Sequence, residues 1–198
     1  MKKEIQNQRR GGTKVAFLKC SREAPEEARN LVSYAKISST LLKRKRKIQP
    51  KAPKTPEDFV EGLTSENARD FYGKNYLGFY RVNGKVSGVA FGEQLLVYYF
   101  ILAKYILMDA TYRVVPLGLF YQVLIIHFIF RGHTFPALVI LMESKSREHY
   151  DAAFKLTKDL FPQFSPTHGM ADHEIACRAS AQHFFDGLLV KACWFHYW

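Results

Sequence analysis

Ile106-Leu107-Met108-Asp109-Ala110-Thr111-Tyr112 is an apolar run that turns polar at its end, the pattern of a buried strand delivering an acid to the edge of a sheet. Reading onward, Leu119–Phe130 and Phe135–Met142 are two more apolar segments, separated by the turn residues Arg131-Gly132-His133. They predict a second and a third strand. Ser146 is placed to cap a helix running to about Phe161, with Tyr150, Phe154, Leu156 and Leu160 as its apolar stripe. His168-Gly169-Met170-Ala171-Asp172 reads as a fourth strand. Glu174–Phe185 reads as a second helix, with Ala176, Ala179 and Phe184 as its buried positions, and Leu188–Trp198 as a fifth strand. The order β-β-β-α-β-α-β predicts an α/β fold with a mixed five-stranded sheet.

Upstream of this core, residues 55–104 read as a smaller helical and hairpin segment. Glu57 and Asp58 suit the first turn of a helix that starts near Thr55 or Pro56 and ends by Leu63. Asn67–Tyr76 reads as a short helix or turn. Phe79-Tyr80-Arg81-Val82 and Lys85-Val86-Ser87 flank Asn83-Gly84, which favours a type I′ hairpin turn. Glu93–Lys104 reads as a buried helix, with a strand as the alternative. Residues 1–54 form a basic extension. Its first 22 residues are polar, with Gly11-Gly12 as a breaker, and a helix is expected from Ala24 to Lys47 on the spacing of Leu31, Tyr34, Ala35, Ser38, Leu41 and Leu42. Pro50, Pro53 and Pro56 then mark a stiff linker.

Charge divides the chain in the same place. It has 29 Lys/Arg against 18 Asp/Glu; residues 1–54 carry 16 against 4, leaving 13 against 14 for residues 55–198. The positive charge belongs to the extension, and the core is close to neutral. Such an extension suits a polyanion, because each neutralised phosphate releases a counterion; the plainer alternative is a solvated arm that maintains solubility. Lys43-Arg44-Lys45-Arg46-Lys47 fits a nuclear import signal or a phosphate-contacting patch, and it also places favourable charge at a helix C-terminus.

Three cysteines, Cys20, Cys177 and Cys193, argue against a disulfide framework and for a reducing compartment. The start MKKEIQNQRRGG lacks the apolar stretch of a secretory signal. The longest apolar run, Leu95 to Met108, contains Lys104 and falls short of the roughly 20 residues a membrane span needs. A soluble intracellular protein is expected, with no membrane partner.

Asp109 and Asp172 both stand at the ends of apolar strands, where ligands of α/β sheets gather. If those strands are parallel neighbours, about 4.8 Å apart, the two carboxylates can share a cation. Mg²⁺ or Mn²⁺ prefers oxygen ligands and is commonly held by one or two carboxylates plus a substrate phosphate. The competing reading of each is a turn or cap residue.

Asp109-Ala110-Thr111-Tyr112-Arg113-Val114-Val115-Pro116 resembles the first-aspartate motif of the MULE (Mutator-like element) transposase domain, a member of the ribonuclease-H-like superfamily. The likeness continues through Leu119-Phe120-Tyr121-Gln122-Val123-Leu124, Ile126-His127 and Gly132-His133-Thr134-Phe135-Pro136, then Glu143-Ser144-Lys145 with Tyr150. Ala171-Asp172-His173-Glu174 stands at the family's second aspartate, and Cys193-Trp194-Phe195-His196 resembles its C-x-x-H element. The resemblance implies a ribonuclease-H-like core at residues 105–198. It also implies a metal-dependent DDE-type site with Asp109 and Asp172 as catalytic metal ligands, and Glu174, Cys193 and His196 as supporting candidates. The family's third acid lies on a helix after the C-x-x-H element, and the sequence ends before such a helix. The expectation is therefore a transposase-derived nuclear protein with a partial DNA cleavage and strand-transfer core, inactive alone. A non-catalytic DNA-binding or interaction protein and a truncated fragment are the alternatives.

Zinc is not expected. Cys193 and His196 supply two ligands where a structural site takes four, and a buried thiol beside a hydrogen-bonded imidazole accounts for them. With no His before His127 and only Cys20 before Cys177, residues 1–126 hold no Cys/His zinc finger. DNA is the expected partner, met through charge with little sequence reading. The sequence carries no signal for an oligomeric state.

Overall fold

The computed structural model describes residues 12–29, 33–48, 52–64, 75–112, 114–116 and 118–193. They fall into two compact units, residues 1–52 and 53–198. In the first, α1 (Thr13–Glu23) occupies the polar stretch before Ala24, and the single turn α2 (Glu26–Arg29) and α3 (Tyr34–Ile48) replace the one helix expected from Ala24 to Lys47. The correction has a simple cause. Gly12 takes the N-cap position of an extra helix, and Pro25 stops that helix near Glu23 because it supplies no backbone N–H. Arg29 closes the turn, donating from Nε to the Ala24 carbonyl and from Nη2 to that of Arg22. Ala16 and Leu41 are buried, with Phe17, Tyr34 and Ile37 packed around them.

The second unit holds one mixed sheet. Its strands are β1 (Tyr76–Val82), β2 (Lys85–Phe91), β3 (Tyr105–Tyr112), β4 (Gln122–Phe130), β5 (His133–Met142), β6 (His168–Ala171) and β7 (Leu189–Ala192). Their spatial order is β1-β2-β5-β4-β3-β6-β7. The expected five-stranded sheet thus becomes seven-stranded. The Asn83-Gly84 hairpin does not stand apart; it adds antiparallel to β5, pairing Gly88 with Met142 and Phe91 with Val139. Asn83 and Gly84 both have positive φ, 51° and 80°, as a type I′ turn requires. Strands β1, β2, β5, β4 and β3 pair antiparallel, whereas β3, β6 and β7 are parallel. Parallel neighbours need crossovers, and α6 (Arg147–Leu160) and α7 (Ile175–Phe184) provide them.

Alternation along the strands builds two cores. Ile106, Met108, Leu124, Ile126, Leu138, Ile140 and Met142 face Tyr150 and Phe154 of α6 and Cys177 and Ala181 of α7. On the other face, Val60 and Leu63 of α4 (Pro56–Thr64) cover Val86, Val89 and Val123, with Val115, Leu119 and Phe120 completing the cluster. Glu57 anchors α4 to the hairpin by accepting from the Val86 amide at 2.9 Å.

Several expected elements shift. In α7 the fully buried positions are Cys177, Ser180 and Ala181, whereas Ala176, Ala179 and Phe184 are half-buried, Ala176 and Phe184 packing against the edge of the core. The helix expected within Glu93–Lys104 is α5 (Gln94–Phe100), but only Phe100 is buried, while Leu95, Tyr98 and Leu102 are exposed. Ser146 occupies the N-cap of α6, yet its hydroxyl bonds His149 Nδ1 at 2.8 Å instead of a backbone amide. Residues 67–74 of the expected short helix or turn lie outside the described residues, and so do residues 194–198 of the fifth strand.

Tyr80 of β1 lies over its cross-strand partner Gly88, where an added methyl would overlap the phenol ring. Gly88→Ala is therefore expected to cost about 1–3 kcal/mol, the usual penalty of overpacking. Urea unfolding monitored by circular dichroism measures it.

Candidate functional site

The parallel register decides what the sheet presents at its carboxyl end. Tyr105 to Met108 of β3 pair with His168 to Ala171 of β6, and Ala171 pairs in turn with Ala192 of β7. One step further along each strand stand Asp109, Asp172 and Cys193, so these three form a row across three neighbouring strands. The Cys193 amide fixes that row by donating to the Ala171 carbonyl at 2.6 Å. Asp109, Asp172 and Cys193 line one open pocket of about 220 Å³, together with Leu107, His127 and Met170. Asp109 lies on the same side of β3 as Leu107, opposite the face covered by α6 and α7.

Each carboxylate is oriented locally. Asp109 Oδ2 accepts from Thr111 Oγ1 at 3.1 Å, and Asp172 Oδ1 accepts from the Glu174 amide at 3.1 Å, which starts α7. Among the described residues each keeps a second oxygen with no protein donor. Two neighbouring carboxylates suit a hard divalent cation whose remaining ligands are water and phosphate. Among the described residues no group of three or more His, Cys, Asp or Glu side chains converges as a full protein cage would require.

Glu174 is not part of the row. Its Oε2 accepts from the Tyr150 hydroxyl at 2.7 Å, and that oxygen accepts from Gln122 Nε2 at 3.0 Å. Tyr150 and Gln122 are wholly buried. Burial and the bond to Glu174 push the Tyr150 phenol far above its ordinary value. Cys177 is likewise pushed up, by burial first and then by the negative charges of Asp172 and Glu174, so its thiol stays protonated and inert.

In the sequence His127 stands out as a polar interruption of an apolar run and Tyr150 as one residue of a helical stripe, and the resemblance includes both without giving either a role. Neither signal named a site role, because His127 gains its neighbours by strand pairing and Tyr150 by packing of α6 onto the sheet. His127 pairs with Leu107 across β3 and β4. Burial lowers its pKa, against the charge of Asp109 and the Leu107 backbone, which raise it. Above the unfolded value near 6.5 both states hold neutral imidazole, and below it the unfolded chain takes up the proton first. Stability should therefore fall as pH drops from about 6.5 towards the folded pKa. His127→Gln should flatten that slope in urea titrations between pH 7 and 5; an unchanged slope would contradict the assignment.

The first unit carries the basic candidates. Lys43 and Arg44 are exposed on α3. Lys45, Arg46 and Lys47 continue that helix, their side chains lying outside the described residues, as does all of His196.

No family model matches the chain, and no curated protein or solved structure matches it. The chemistry of the site therefore rests on its own residues. No helix among the described residues is long and apolar enough to cross a membrane.

Proposed function

We propose that this protein is derived from a DDE-type transposase of the MULE kind, with Asp109 and Asp172 holding Mg²⁺ or Mn²⁺ against DNA. The observation that carries the reading is the row of Asp109 and Asp172 on parallel neighbours β3 and β6. The partial order β5-β4-β3-β6-β7, antiparallel up to β3 and parallel beyond it, supports a ribonuclease-H-like core extended by a hairpin. Such a cation supplies charge stabilisation to phosphoryl transfer; the chain's part is to orient two carboxylates through Thr111 and the Glu174 amide. Because Glu174 is engaged by Tyr150, and no third carboxylate joins the pair among the described residues, the proposed activity is metal and DNA binding with little cleavage by this chain alone.

Mn²⁺ titration followed by paramagnetic relaxation tests the site. The wild type should bind, and Asp109→Ala/Asp172→Ala should bind at least about tenfold more weakly. Equal binding would remove the metal site from the reading.

The charge asymmetry between residues 1–54 and the remainder favours a second reading, a non-catalytic nuclear DNA-binding protein. DNA binding in EDTA that survives the double aspartate substitution, without cleavage in Mg²⁺ or Mn²⁺, would select it. Nuclear accumulation of a fluorescent fusion, lost when Lys43–Lys47 are replaced by glutamine, tests the import role of that run.

A further inference from the structure

Beyond the carboxylates, the same end of the sheet exposes an aromatic pair. Tyr112 closes β3 and Tyr121 immediately precedes β4, with Gln122 paired to Tyr112. Their rings meet edge to face with centroids 5.5 Å apart. They are nevertheless 40% and 50% exposed. Lys145, three residues past the end of β5, holds its ammonium 5.9 Å from the Tyr112 ring centre. The Tyr112 phenol is raised by burial and then by the charges of Glu174 and Asp172, which places the ring within their field.

We propose that Tyr112, Tyr121 and Lys145 form a seat for an unpaired nucleotide of a nucleic-acid strand, the rings stacking on the base and Lys145 meeting a phosphate. The proposal rests on the reading of Asp109 and Asp172 as a nucleic-acid-processing site, and it names the form of substrate presented there. Exposed aromatic faces beside a cation are the sequence-tolerant means of holding single strands, because every base has a π-face and every linkage a charge. A duplex hides the base faces in its own stack, so this seat selects strands that are open or splayed. A second exposed aromatic group, Tyr98, Tyr99 and Phe130 with Arg131, lies at α5 and the β4–β5 turn, away from the carboxylates. It provides an internal control.

The test is fluorescence anisotropy of the full chain in EDTA, comparing a labelled oligothymidine with an abasic oligonucleotide of the same length. The basic extension attracts both equally, so the ratio of the two affinities reports stacking alone. The wild type should prefer oligothymidine by at least about fivefold. Tyr112→Leu/Tyr121→Leu should lose that preference, and Tyr98→Leu/Tyr99→Leu should keep it. Tyr121→Leu alone, in the loop before β4 and half exposed, should reduce the preference without disturbing the strands, should the double variant fold poorly. Equal affinity of the wild type for both oligonucleotides, or a preference that survives loss of Tyr121 or vanishes in the control, overturns the seat. Mn²⁺ binding measured in parallel separates the two ideas. Metal binding without base preference removes only the seat, and base preference without metal binding removes the catalytic reading while the seat stands.

Discussion

Replacing Tyr150 by alanine is expected to lower the unfolding free energy by about 3–5 kcal/mol, the range for emptying a large aromatic site. Tyr150 is wholly buried between α6 and the sheet, packs its ring against Phe154 at 6.4 Å, and links Gln122 to Glu174. Tyr150→Phe keeps the ring and deletes only the hydroxyl, so it should cost about 1 kcal/mol. The difference between the two variants separates packing from hydrogen bonding. Chemical denaturation with an unchanged m-value measures both. A loss below about 1 kcal/mol for alanine would show that the site collapses freely around it. The phenylalanine variant has a second readout. Glu174 loses its anchor, and the turn that sets the Asp172 carboxylate loosens with it, so metal affinity should fall further than stability does.

The second large effect is electrostatic. Replacing Lys43, Arg44, Lys45, Arg46 and Lys47 with glutamine should weaken duplex DNA binding by at least about a hundredfold at low salt. It should also make the slope of log K against log salt shallower by about 0.9 for each of the five residues that meets a phosphate. The loss should be the same for unrelated DNA sequences, since phosphate contacts position a protein without reading bases. A substitution that leaves the slope unchanged would return this run to the role of a solvated helix end.

Much of the second unit was legible because its signals are local. Asn83-Gly84 fixed a hairpin turn, the apolar run Ile106–Met108 fixed a strand, and Tyr150 and Phe154, four residues apart, gave the buried face of α6. The pairing of β3 with β6 was expected only as a condition, and their register meets it. What escaped was decided by partners far along the chain. The hairpin's docking on β5 depends on Gly88 to Phe91 matching Val139 to Met142, and nothing in either stretch alone specifies the other. His127 acquires its relation to Asp109 only when β4 lies beside β3. The exposure of Leu95, Tyr98 and Leu102 was hidden because composition alone suggests burial. In the first unit, Gly11-Gly12 reads as a breaker, yet Gly12 is where α1 begins.

The added hairpin also changes how the sheet meets other chains. Without it, the apolar end of β5, Val139 to Met142, would present unpaired amides and carbonyls along a smooth border. With it, the border passes to β1, whose register slips between Tyr76 and Gly78 and again between Tyr80 and Arg81. Among the described residues the opposite border is β7, four residues long and bearing Lys191. Irregular, short and charged borders resist the addition of foreign strands. Mutations that unzip the hairpin should therefore raise the tendency to polymerise along with lowering stability, which light scattering beside the unfolding curve would show.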